Sequence, residues 1–84
     1  MKRSCVGRYQ LTSPVQVTIT MDDGQLFVQY GTQPKAELFP ESTNQFFLKV
    51  ANAQVTFERD RDGNVVSLVH HQHGSATQGV RLVG

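Results

Sequence analysis

The stretch "VQVTITMDDGQLFVQY", residues 15–30, constrains the fold more than any other part of this chain. Val15, Val17, Ile19 and Met21 recur at every second position with Gln16, Thr18 and Thr20 between them. That is the pattern of a strand with one face in a core and the other in water. Asp23-Gly24 then tolerates positive φ at both positions, which a two-residue type I′ turn requires. If Asp22 pairs with Gln25, then Met21 faces Leu26, Ile19 faces Val28 and Val17 faces Tyr30, all on one side of the sheet. Turn chemistry and apolar pattern specify the same register, and a slip of one residue would send the whole apolar set to the wrong face.

The same period of two runs through the rest of the chain. In "FFLKVANAQVTF" a turn at Ala51-Asn52 sets Leu48 opposite Val55 and Phe46 opposite Phe57, leaving Phe47, Lys49, Gln54 and Thr56 outside. In "FERDRDGNVVSLVHHQHGS", residues 57–75, a loop of even length around Asp62-Gly63 sets Phe57 opposite Leu68 and Val55 opposite His70. A loop of odd length would set Phe57 against Ser67 instead, so the apolar pattern favours the even one and turns Val66, Leu68 and His70 inward. Eight strands are expected, at residues 6–11, 15–22, 25–30, 35–39, 45–50, 53–60, 65–71 and 76–82. No segment combines a helix start, an apolar period of 3.6 and a stop. Pro34 and Pro40 bracket the one segment that competes. The expected class is all-β: a small antiparallel up-and-down meander with little or no helix, bending into a barrel so that its edges are paired. A strongly curved open sheet, or half-barrel, that dimerises is the alternative.

With 84 residues there is room for one core, and the expectation is a single domain over 1–84. Eight Lys and Arg against seven Asp and Glu leave a formal charge of +1, which draws neither nucleic acid nor an anionic membrane. The one cysteine, Cys5, cannot form an internal disulfide. "MKRSCVGRYQ" has no apolar run behind its basic residues, so it does not read as a signal peptide, and no window approaches a membrane span. As written, the chain is expected in the cytoplasm unless it is a piece of a larger secreted protein.

"VGRYQL", "DDGQLFVQ", "QPKAELFPES", "NQFFLK", "VTFERDRDGNVVSLVHHQHG" and the closing "VRL" follow one another across almost the whole chain. In order and spacing they resemble the β module of uncharacterised function found at the C-terminal end of beta-lactamase-like and penicillin-binding-protein-like serine hydrolases. The resemblance implies a lipocalin-like barrel and a non-catalytic role, since in that family the catalytic serine and lysine belong to a separate hydrolase domain. It also implies that family members can be parts of secreted or periplasmic proteins. Two departures stand out. Cys5 occupies a position that is more often aromatic in the family, and in "HHQH" only His71 and Gln72, with Gly74 after them, fit the pattern. His70 and His73 are particular to this chain.

The residues themselves supply only ingredients for chemistry. "DRDGN" is not an EF-hand, because counting from Asp60 the glycine is fourth rather than sixth and His71 stands where the bidentate glutamate belongs. Register sends His70 toward the interior and His71 and His73 outward, so the three cannot converge on an unbroken strand. His71 and His73 form a His-x-His pair that would need a third ligand, and the sequence places none. The serines and Cys5 lack a nucleophile elbow, an S-x-x-K pair or a phosphate-binding glycine loop. Cys5 reads as a small apolar filler or part of a frayed terminus, the alternative being a thiol activated by Arg3 and Arg8. No cofactor and no enzyme activity are expected.

What remains is surface and interior. Phe27, Phe47, Val65 and Val69 fall on the face opposite the core and read as an interface, with a second copy in a homodimer or with a host or partner domain. Tyr9, Tyr30, Phe46, Phe57 and His70 line the expected interior and its mouth. The alternative function is therefore a carrier of one small apolar ligand.

Overall fold

The computed structural model describes residues 2–11, 15–49, 52–72 and 74–82. Eight strands follow one another: β1 Gly7–Gln10, β2 Gln16–Asp22, β3 Gln25–Tyr30, β4 Ala36–Pro40, β5 Gln45–Leu48, β6 Ala53–Arg59, β7 Val65–Gln72 and β8 Ser75–Arg81. Each pairs antiparallel with the next, and β8 returns to β1 with Tyr9 opposite Arg81 and Gln10 opposite Val80. The meander closes into a barrel, so β1 and β8 pair with each other instead of standing as open edges. Helix among the described residues is one 3-10 turn, Lys2–Cys5.

The β2–β3 hairpin has the expected register, with Met21 on Leu26, Ile19 on Val28 and Val17 on Tyr30. Its turn residues Asp23 and Gly24 have φ of 53° and 78°, as the type I′ turn demands. The β5–β6 hairpin corrects the sequence reading. Phe46 pairs with Val55 and Leu48 with Ala53, so the ladder is displaced by two residues from the expected Phe46–Phe57 and Leu48–Val55 pairs. A displacement of two preserves which side chains face inward, so the apolar pattern is blind to it.

The β6–β7 hairpin keeps Phe57 on Leu68 and Val55 on His70 but reaches that register by another route. Arg59 pairs with Val65, leaving residues 60–64 as an odd loop, and the ladder shifts between Glu58 and Arg59. With an unbroken ladder this loop would set Phe57 against Ser67. The bulge adds one residue on β7 and cancels the odd count. It also reverses the facing of the residues before it. Val65, expected outside, is buried in the core, and Val66, expected inside, is 43% exposed. Asp60 builds the loop: its carboxylate accepts the backbone N–H of Asp62 and of Asn64, each at 2.9 Å, and the Asn64 bond leads in holding that carboxyl below its usual range.

Side chains fill the interior. Tyr9, Phe46 and Phe57 are the largest fully buried ones, with Val17, Ile19, Leu26, Val28, Val55 and Leu68 around them, and no cavity opens among the described residues. An eight-stranded barrel has an interior of about this capacity. Gly79 shows how close the packing is, since a Cβ there would lie 2.7 Å from Cδ2 of Leu11.

The β2–β3, β4–β5 and β6–β7 turns gather at one end, and the 3-10 turn seals it. Two arginines at strand ends hold it there. Arg81 donates from Nη1 to the carbonyls of Ser4 (3.1 Å) and Val65 (3.0 Å), and from Nη2 to that of Val6 (2.7 Å). Arg59 donates from Nη1 to Ser4 Oγ and the Gly63 carbonyl, both at 2.9 Å, and from Nε to Asn44 Oδ1 at 2.6 Å. Tyr9 completes the seal by donating its hydroxyl to the Cys5 carbonyl at 2.8 Å.

Candidate functional site

The expected interior residues lie at three levels of the barrel. Tyr9 is at the sealed end, where burial pushes its phenol up to about 12 against the opposing pull of Arg81. Phe46 and Phe57 pack edge to face in the middle, with ring centroids 5.6 Å apart and planes at 81°. Tyr30 and His70 meet near the other end, where the β3–β4, β5–β6 and β7–β8 connections lie.

There the Tyr30 hydroxyl lies 2.6 Å from His70 Nδ1, and His70 Nε2 lies 3.0 Å from Gln72 Oε1. Gln72 Oε1 can only accept, so Nε2 carries the imidazole proton; in a neutral ring Nδ1 then accepts from Tyr30. Burial raises the Tyr30 phenol above its usual range and keeps it the donor. The half-buried histidine is thus held on both ring nitrogens, which satisfies its polar atoms inside an apolar wall. Tyr30→Phe removes the hydroxyl that donates to Nδ1. It should cost ~1 kcal/mol in urea unfolding and shift the His70 ring 15N resonances; unchanged resonances would refute the bond.

The outer histidine and the candidate nucleophiles are dispersed. His71 Nε2 is 3.5 Å from Thr56 Oγ1 on the outer wall, and His73 lies outside the described residues. No group of three His, Cys, Asp or Glu among the described residues is placed to hold a metal ion. Cys5 is buried at the sealed end with Arg59 Nη2 3.9 Å from its sulfur. Burial pushes its thiol up, more than Arg59 and Arg81 pull it down, which is the setting of a small buried filler and not of an activated thiol. Along β6, Arg59 is four residues from Val55, the partner of His70, which separates the two ends by ~13 Å at ~3.3 Å per residue. Ser67 lies on the opposite face of β7 from His70 and donates its hydroxyl to the Glu58 carboxylate, which also accepts from Gln78 at 2.8 Å.

The outer wall holds the other candidate. Phe27 on β3 pairs with Glu37 on β4, while Phe39 on β4 pairs with Phe47 on β5 at a ring separation of 5.5 Å. All three phenylalanines are half-buried and point away from the core, a row across adjacent strands. The ammonium of Lys35 lies 5.5 Å from the centroid of Phe27, and that of Lys49 lies 4.4 Å from that of Phe39. Such contacts contribute ~0.5–1 kcal/mol at exposed sites. Val69 shares the outer face on β7 between Thr56 and Gln78, away from this row. Sequence reasoning missed Phe39, although Ala36 and Leu38 on the inner face imply it by the same period of two.

No helix among the described residues is long and apolar enough to cross a membrane. A family model described as a domain of unknown function, DUF3471, matches residues 3–80. Penicillin-binding protein 4* of Bacillus subtilis (strain 168) is 30% identical over 76 residues, which cover 90% of this chain and 17% of that protein. The chain therefore spans a small fraction of the curated relative it matches. No solved structure matches.

Proposed function

The chain belongs to the DUF3471 family, a C-terminal domain of beta-lactamase-like and penicillin-binding-protein-like proteins, and from that premise we propose that it is a non-catalytic accessory barrel that docks on the larger part of such a polypeptide. The observation that carries the reading is the outer row of Phe27, Phe39 and Phe47. The barrel already has a packed core, and an apolar row left on the outside of a small domain marks a contact surface. The dispersal of His70, Cys5 and Ser67 to different ends and faces supports a role without covalent chemistry. The compartment follows that of the host polypeptide.

Self-association through the same row is the rival occupant. A small apolar ligand inside the barrel would have to displace Tyr9, Phe46 or Phe57 from the interior they fill. The test is calorimetric titration of the chain into a penicillin-binding-protein-like serine hydrolase domain lacking its own barrel. Micromolar binding is expected, weakened about tenfold or more by Phe27→Glu with Phe47→Glu. Absence of binding overturns the proposal, and a dimer in light scattering that Phe27→Glu dissociates would assign the row to a second copy.

A further inference from the structure

The sealed end carries both signs of charge: Lys2 and Arg3 belong to the 3-10 turn and Arg8 is exposed on β1. Asp22 and Asp23, Glu41, and Asp60 and Asp62 sit on or beside the turns of the sealed end, with Glu58 close by on β6. The arginines 59 and 81 at that end are turned onto Ser4, Val6, Val65, Gly63 and Asn44, and Arg61 lies in the exposed loop. Toward the other end, Lys35 and Lys49 are exposed, and each ammonium lies against a ring of the aromatic row. Glu37, paired with Phe27, is the one acidic residue within the row, and His71 is two strands away from Phe47, beyond Gln54.

We propose that the outer face of β3–β5 takes an acidic, apolar polypeptide segment of the host. This rests on the docking reading above and gives it a partner chemistry. The two lysines cover the ring faces an apolar partner needs. A segment carrying carboxylates draws the ammonium groups aside as it arrives and seats its apolar side chains on the uncovered rings. A neutral apolar partner must displace the cations with nothing to receive them, and a basic one meets like charge. A second copy applied through a twofold axis offers the two lysines of each face only the one carboxylate of Glu37 and otherwise brings cation against cation.

The experiment repeats the titration into the hydrolase domain from ~50 to ~500 mM salt, a span over which surface charge is progressively screened. It compares the unaltered chain, Lys35→Glu with Lys49→Glu, and Phe27→Glu with Phe47→Glu, each checked for its fold by circular dichroism. The expected result is an affinity that falls about tenfold with salt, a loss of about tenfold or more in the lysine variant at low salt, and a flattened salt dependence in that variant. If binding is salt-independent or the lysine variant binds like the unaltered chain, while the phenylalanine variant loses binding, the acidic partner is wrong and docking through the row stands. If the phenylalanine variant also binds like the unaltered chain, the docking reading itself fails.

Discussion

Phe57→Ala is expected to lower the unfolding free energy by ~4 kcal/mol. Phe57 is 2% exposed, stands edge-on to Phe46 and lies 6.1 Å from the ring of Tyr9, so truncation removes the centre of a three-ring stack. Its backbone is held as well, since its N–H donates to the Asn44 carbonyl at 2.7 Å. The neighbours sit on different strands of a closed barrel and cannot collapse onto the vacated volume without breaking a ladder. A domain of 84 residues has ~4–13 kcal/mol of stability at ~0.05–0.15 kcal/mol per residue, so the loss takes much of the total. Thermal unfolding should fall by ~20 °C, and Phe57→Leu should recover more than half of the loss. A fall of under ~1 kcal/mol would mean that the three rings do not form the centre of the core.

The second large effect is expected at the seal. Arg81→Ala takes the donor from the carbonyls of Ser4, Val6 and Val65 and uncovers one edge of Tyr9, whose ring centroid lies 6.0 Å from the guanidinium carbon. Loss of three charge-assisted bonds, partly offset by water reaching the freed carbonyls, should cost ~3 kcal/mol. Urea unfolding measures the cost, and amide exchange should accelerate first at residues 4–7, where the 3-10 turn meets β1. Arg81→Lys should restore only part of it, because one ammonium cannot span carbonyls from two segments as the planar fork does. Equal exchange rates in the variant and the unaltered chain would show that the turn is held by something else.

The two effects differ in how far they could be read in advance. Phe57 was legible as core from its place in an alternating run and from the only parity that also sets Val55 on His70. Arg81 was not, because two of its three carbonyl partners lie 75 and 77 residues away in sequence and meet it only when β8 closes on β1. The candidate site divides the same way. The inward turn of His70 followed from register, whereas its bond to Tyr30 required β3 to be brought across the barrel to β7. Phe27 and Phe47 were legible as outward by period alone. That Lys35 and Lys49 rest on Phe27 and Phe39 depends on where long side chains settle between strands, which no period encodes.

By itself, the sequence determined the all-β class, the strand order and the facing of most side chains. Those properties rest on local alternation and on turns such as Asp23-Gly24, where the chemistry of a few adjacent residues decides the backbone. The tertiary structure alone decided closure, the displaced β5–β6 ladder, and the bulge that puts Val65 in the core and Val66 outside. Each of these is a choice among arrangements that satisfy the local pattern equally well. Packing across the barrel separates them, and packing sums contacts between residues that are distant in the chain.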